Sequence, residues 1–258
     1  MNLQNIISEL EKVDGDVYDR LKHVSRRSMF NMFSRKAAAV AAPTILASAL
    51  NKAYGQALSP VVVDVLNFAL TLEYLEAEFY NVGMDSPGLL TGTARVVYGQ
   101  IQKHENAHVA LLKSVLGGQA VAKPAFDFTA KGMFPNPFSN YQVYLTLSQA
   151  FEDTGVRAYK GQAPKLIDND PILTTALQIH SVEARHAARV RELRGEKGWV
   201  TGNTSPGVPA AVYAGDEAVK HLEISSLFPG IPVEHSTQAW DEPLTKEDVL
   251  KIVTPFLA

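Results

Sequence analysis

The sequence contains no cysteine. Disulfides, thiolate nucleophiles and Cys-ligated zinc or iron–sulfur sites are excluded, so any metal must be held by carboxylate and imidazole. The absence does not choose a compartment, because such a chain tolerates either redox environment. Charge of one sign is also lacking. The 24 basic and 27 acidic residues leave a formal net charge of −3, mixed along the chain, which gives no electrostatic case for nucleic acid as a partner. Long hydrophobic runs are missing too: the apolar stretch over 37–50 is too short for a transmembrane helix. There is no glycine-rich phosphate loop, no nucleophile motif with a positioned base and no basic aromatic patch.

What is present is material for a core. About 46% of the 258 residues are hydrophobic, enough for one sizeable domain with appendages or for two small ones. Residues 1–24 place Leu3, Ile6, Ile7, Leu10, Val13 and Val17 at helical intervals. Ser25-Arg26-Arg27, followed by Met29, Phe30 and the apolar stretch, resembles a twin-arginine export signal with its Phe one place late. Ala47-Ser48-Ala49 would suit small-residue processing. The expected location is the periplasm or cell envelope. The alternative is a retained Ala-rich helix on a cytoplasmic protein.

The expected organisation is an extension over 1–58, a helical domain over 59–195 and a tail over 196–258. Pro60 suits a first helical turn, and the first helix is expected to run to Tyr80 before a punctuated loop at 83–90. A second helix over 93–116 stops at Gly117-Gly118. Residues 119–138 carry prolines, glycines and four phenylalanines, which predicts a long loop packed by its own aromatics and crossing the bundle. A third helix is expected over 140–160 and a fourth to Arg194, with Asp170 as cap and Pro171 in its first turn. Short, long and short connections describe two helical hairpins joined by one crossover, an all-α four-helix bundle. The tail reads as coil ending in a short helix capped by Thr245 with Asp248 three residues on.

The string "FALTLEYLEAEFY" (68–80) sets ionised groups among core residues, which is costly unless something pairs with them. The partners are supplied by repetition. Glu73 is followed seven residues on by Tyr80, and Glu152 seven residues on by Tyr159. The second helix carries Glu105 and His108, the fourth Glu183 and His186, both at i,i+3. Each pair shares one helix face. Glu73 and Glu105 are 32 residues apart, Glu152 and Glu183 31, so two similar hairpins would bring four carboxylates and two imidazoles to one point.

That is the arrangement of a di-iron or di-manganese carboxylate site. Two close divalent ions need bridging oxygens, terminal carboxylates to balance charge and a nitrogen each. Glu105 and Glu183 are assigned as bridges, Glu73 and Glu152 as terminal ligands, and His108 and His186 to one ion each. The competing reading is a buried charge network without metal. Glu76 lies about 60° around the helix from Glu73 and has no counterpart, since position 155 is glycine. It is expected in the outer layer of the site, as are Asp153, beside a neighbouring imidazole, and His180, lining the approach. His104 neighbours Glu105 but points 100° away. Tyr80 and Tyr159 are the catalytic candidates, donating to ligand carboxylates or acting near an oxidising centre. A core aromatic with a satisfied hydroxyl is the plainer alternative.

The strings "LNFALTLEYLEAEFY" (66–80), "HENAHVALLKSVLG" (104–117), "FEDTGVRAYKG" (151–161) and "ILTTALQIHSVEARHAARVRELRG" (172–195) resemble the ferritin-like superfamily, and more closely the ferritin-like domain group that includes desiccation-related proteins. The resemblance implies two Fe or two Mn ions per chain on Glu73, Glu105, His108, Glu152, Glu183 and His186, with dioxygen or hydrogen peroxide as the reacting partner. Ferrous-ion oxidation or peroxide detoxification is the expected function. A non-catalytic stress or envelope protein on the same scaffold is the alternative. A manganese catalase-like enzyme is a third reading, against which both Glu-x-x-His motifs are intact. No nucleic acid, no transmembrane span in the mature chain and a homodimer complete the expected partners.

Overall fold

A computed structural model of the chain describes residues 58–216 and 238–258. The leader helix and the export signal lie outside these residues. Five α-helices occur among them: α1 (Pro60–Asp85), α2 (Gly92–Leu116), α3 (Tyr141–Gln162), α4 (Asp170–Leu193) and α5 (Lys246–Val253). None is long and apolar enough to cross a membrane.

Four of the five starts have a side-chain cap. Ser59 accepts from the Val62 N–H at 3.3 Å, with Pro60 in the first turn, where its missing N–H costs nothing. Asn140 accepts from Gln142 and Val143 at the head of α3. At α4 the sequence favours Asp170 as the cap. The structure instead uses Asn169, which accepts from Ile172 at 3.2 Å. Asp170 moves into the first turn, where its charge faces the positive end of the helix dipole. Thr245 caps α5 by accepting from the Asp248 N–H at 3.1 Å. The reciprocal arm, from the Thr245 hydroxyl to Asp248 at 2.8 Å, replaces the usual bond to the cap's own N–H.

Helix α1 overruns its expected end by five residues. Gly83, read from sequence as punctuation, stays helical and accepts from the Ser86 N–H at 3.3 Å. Its missing side chain leaves room for Tyr144: a Cβ there would sit 2.4 Å from that ring.

α1 packs on α2 and α3 on α4, and the chain crosses between the two hairpins over 117–140. The crossover's phenylalanines pack on one another but also on the helices. Phe128 and Phe138 both lie against Phe79 of α1, at 5.3 and 5.5 Å between ring centroids. Phe79 also stacks on Tyr144 and meets Phe151 edge-on. Such contacts contribute about 0.5–1.5 kcal/mol each beyond area burial.

The described parts of the tail are tied to the bundle. Arg157 of α3 is buried and reaches three backbone carbonyls: Glu242 and Ala214, each at 2.7 Å, and Val212. The apolar core falls into two clusters. One contains Phe79, Tyr98, Phe151 and Val190, the other Leu70, Leu111, Ile172 and Ile179. Along each of the four long helices a band of carboxylates and imidazoles lies between members of the two.

Candidate metal centre

Glu73, Glu105, Glu152 and Glu183 are fully buried, and His108 and His186 nearly so. Each helix of the bundle supplies a carboxylate, and α2 and α4 add an imidazole one turn on. Ionised groups in a dry interior cost several kcal/mol apiece unless compensated, so their convergence is the feature to explain.

The groups assemble as two overlapping sets. Glu73, Glu105, His108 and Glu183 form one, and Glu105, Glu152, Glu183 and His186 the other; within each, the candidate ligand atoms lie within 4.8 Å of one another. Such sets could hold metal ions. His108 Nδ1 lies 3.2 Å from Glu73, 3.1 Å from Glu105 and 3.2 Å from Glu183. His186 Nδ1 lies 2.8 Å from Glu105, 3.3 Å from Glu152 and 3.8 Å from Glu183.

The tyrosines complete the pattern by crossing over. Tyr80 of α1 donates to Oε1 of Glu152 on α3, and Tyr159 of α3 donates at 2.5 Å to Oε1 of Glu73 on α1. In both carboxylates one oxygen is held by a phenol and Oε2 is left facing an imidazole. The residues at seven-residue spacing therefore share a face but not a bond.

The electrostatics follow from this crowding. Burial pushes the Glu73 carboxyl up to about 8, against the opposing pull of His108. Burial also raises Glu152 well above the carboxylate range, despite His186. For Glu183 burial works the same way, but hydrogen bonds with His108 and His186 outweigh it and hold the carboxyl low. Burial disfavours charge on His186, yet Glu152 and hydrogen bonds with the three carboxylates push it up to about 12. The cluster without metal holds protons where it would hold cations.

Glu105 Oε1, Glu152 Oε2, both oxygens of Glu183 and His186 Nδ1 make no well-aligned hydrogen bond; their near neighbours are one another and His108 Nδ1, at ion-pair distance. Buried polar atoms are almost always satisfied, and these five point into one cluster. Carboxylate oxygens and imidazole nitrogens without donors form the donor set a divalent ion takes up.

The residues expected around the centre divide. Glu76 is buried, and its Oε1 lies 3.2 Å from where a Cβ of residue 155 would be. Burial, and then the charges of Glu183, Glu152, Glu105 and Glu73, raise its carboxyl well above the usual range. Asp153 does not meet an imidazole. It accepts from Arg191 at 2.5 Å and from Tyr213 at 2.6 Å, because its place beside Glu152 turns it about 100° away from the cluster. His180 joins neither set, and its Nε2 has no partner.

His104 points 100° away from Glu105 on its own helix, yet its Nδ1 lies 2.8 Å from Nε2 of His186, with the rings stacked. Its own Nε2 is 2.7 Å from the Gln100 amide. A partner on the far nitrogen of a ligating imidazole fixes its ring orientation and tautomer. The signal in sequence is the repeated histidine of "HENAH".

Residues 62–196 match the family model of the ferritin-like domain. No curated protein matches the chain.

Proposed function

The chain belongs to the ferritin-like family, and from that premise we propose that its buried cluster binds two iron or two manganese ions and reacts with dioxygen or hydrogen peroxide. The observation that carries the reading is the overlap of the two sets on Glu105 and Glu183. Two cations a few Å apart need anionic oxygen between them, and these two carboxylates face both positions. Glu73 and His108 would complete one position, Glu152 and His186 the other.

Bound ions would supply reversible electron transfer to the oxidant. The chain's own residues do the rest. Tyr159 and Tyr80 hold Oε1 of Glu73 and Glu152, which leaves each Oε2 as the atom that would ligate an ion and keeps a phenolic proton beside each carboxylate. His104 orients His186. The apolar clusters on either side exclude bulk water, which strengthens every charge interaction between them. Ferrous-ion oxidation and peroxide consumption both fit this apparatus.

The test is metal content by elemental analysis of purified protein produced with iron and manganese both supplied. Two equivalents per chain are expected, lost when Glu105 and Glu183 are both changed to alanine in a variant that still unfolds cooperatively. Folded wild-type protein that takes up no stoichiometric metal after anaerobic reconstitution would overturn the reading and leave the non-catalytic scaffold.

A further inference from the structure

One residue along from Glu152, Glu183 and His186, the same two helices turn another face outward. Asp153, Ala184 and Ala187 lie there, about 100° round from the metal-facing side chains, and they line a cavity of about 180 Å³. Tail residues close its far side, including Trp199 and Trp240. The sequence contains two tryptophans, and both line this one cavity. They are 53% and 43% exposed. Two large aromatics left half in solvent on one cavity are candidates for ligand contact.

The floor is built and rigid. Alanines 184, 187 and 188 contribute small apolar side chains to its lining. Asp153 and Arg191, 4% and 3% exposed, border it as a closed ion pair. Arg191 also donates to the Trp199 carbonyl at 3.3 Å, and Trp199 Nε1 donates to Gln238 at 2.9 Å, which ties one wall to both the helix and the other wall. The Gln238 amide N–H groups have no acceptor among the described residues, and the Asp241 carboxylate stands at the rim.

These features select a ligand class. Aromatic walls favour a ring with a C–H face. Donors and acceptors at the edges favour hydroxyls around that ring. Two carboxylates, Asp153 and Asp241, and two guanidiniums, Arg157 and Arg191, line the cavity, so the lining carries no net formal charge to attract an ion. We propose that the cavity between Trp199 and Trp240 binds a neutral pyranose sugar.

Because no other tryptophan exists in the chain, selectively excited indole emission reports on this cavity alone. The full chain is titrated with a panel of methyl pyranosides, with sorbitol as an open-chain polyol and choline as a cation. The expected result is solvated-indole emission in the free protein and a saturable change with at least one pyranoside at roughly millimolar concentration, the range small polar ligands reach. Trp240→Ala, at an exposed position, leaves the unfolding midpoint unchanged and weakens that binding about tenfold, the scale of one aromatic contact. Four outcomes would overturn the proposal. They are no saturable response to any pyranoside by emission and calorimetry, an equal response to sorbitol, a response to choline alone, or emission already blue-shifted without sugar.

Discussion

Tyr159 on α3 donates its hydroxyl to Glu73 on α1 at 2.5 Å, and the mirror-image bond runs from Tyr80 on α1 to Glu152 on α3. Phenylalanine at 159 keeps the ring and removes the donor, leaving a buried carboxyl oxygen unsatisfied. The metal-free protein should lose about 1–2 kcal/mol in denaturant unfolding, and Tyr80→Phe should cost a similar amount. An unchanged midpoint in either variant would mean that the phenol contributes nothing net.

Metal loading should acidify the solution. At pH 7 the metal-free cluster retains protons on Glu73, pushed up to about 8, and on His186, pushed up to about 12; His108 is raised as well. The ligating forms are deprotonated, so the loaded state binds fewer protons. Affinity must then rise with pH and fall in acid, about tenfold per pH unit for each proton displaced. Titration of ferrous or manganous ion in weak buffer under a pH-stat reads the release directly. Stoichiometric uptake without proton release would place the metal elsewhere.

Gly155 tests the packing of Glu76. Gly→Ala inside a helix ordinarily stabilises by about 0.5–1 kcal/mol. Here the added methyl would stand 3.2 Å from Glu76 Oε1 and 3.6 Å from Glu183 Oε2, and Gly155→Ala should instead destabilise by about 1 kcal/mol. In a Glu76→Ala background the same change should turn neutral or stabilising. Additive effects in that double-mutant cycle would show that the two positions do not crowd each other.

Arg191→Ala should be among the most damaging single changes outside the metal cluster. It strands Asp153, which is buried and otherwise supported by the Tyr213 hydroxyl alone, and breaking such a pair costs about 3–5 kcal/mol. Asp153→Asn combined with Arg191→Met should recover much of the loss. Thermal and urea unfolding of the three variants decide it, and a mild Arg191→Ala phenotype would contradict the buried-pair reading.

The six residues of the centre were readable because they recur in register: two Glu-x-x-His strings and two Glu-to-Tyr spacings of seven. The bundle and its long crossover followed from connection lengths. What could not be read depends on partners far along the chain. Gly83 looks like a helix stop until Tyr144 fills the space it leaves. Helical angle counts against His104, but His186, 82 residues away, comes to meet it. Asp153 is answered partly by Tyr213, in a tail without periodicity, and periodicity is the only guide to a face that sequence provides. Asn169 and Asp170 are both good caps one residue apart, a difference propensity does not resolve.

The crossed tyrosine bonds follow the rule of an isologous interface, in which residue i of one partner meets residue j of the other and j meets i. The interior is thus organised like a symmetric pair of hairpins made continuous by the crossover. Seen so, its asymmetries become informative. Glu76 occupies space that its equivalent, Gly155, has vacated, and His104 supports one imidazole where its equivalent is Val182. The two halves share a plan of carboxylates and imidazoles but have diverged in what surrounds each, so the two overlapping sets are chemically distinct.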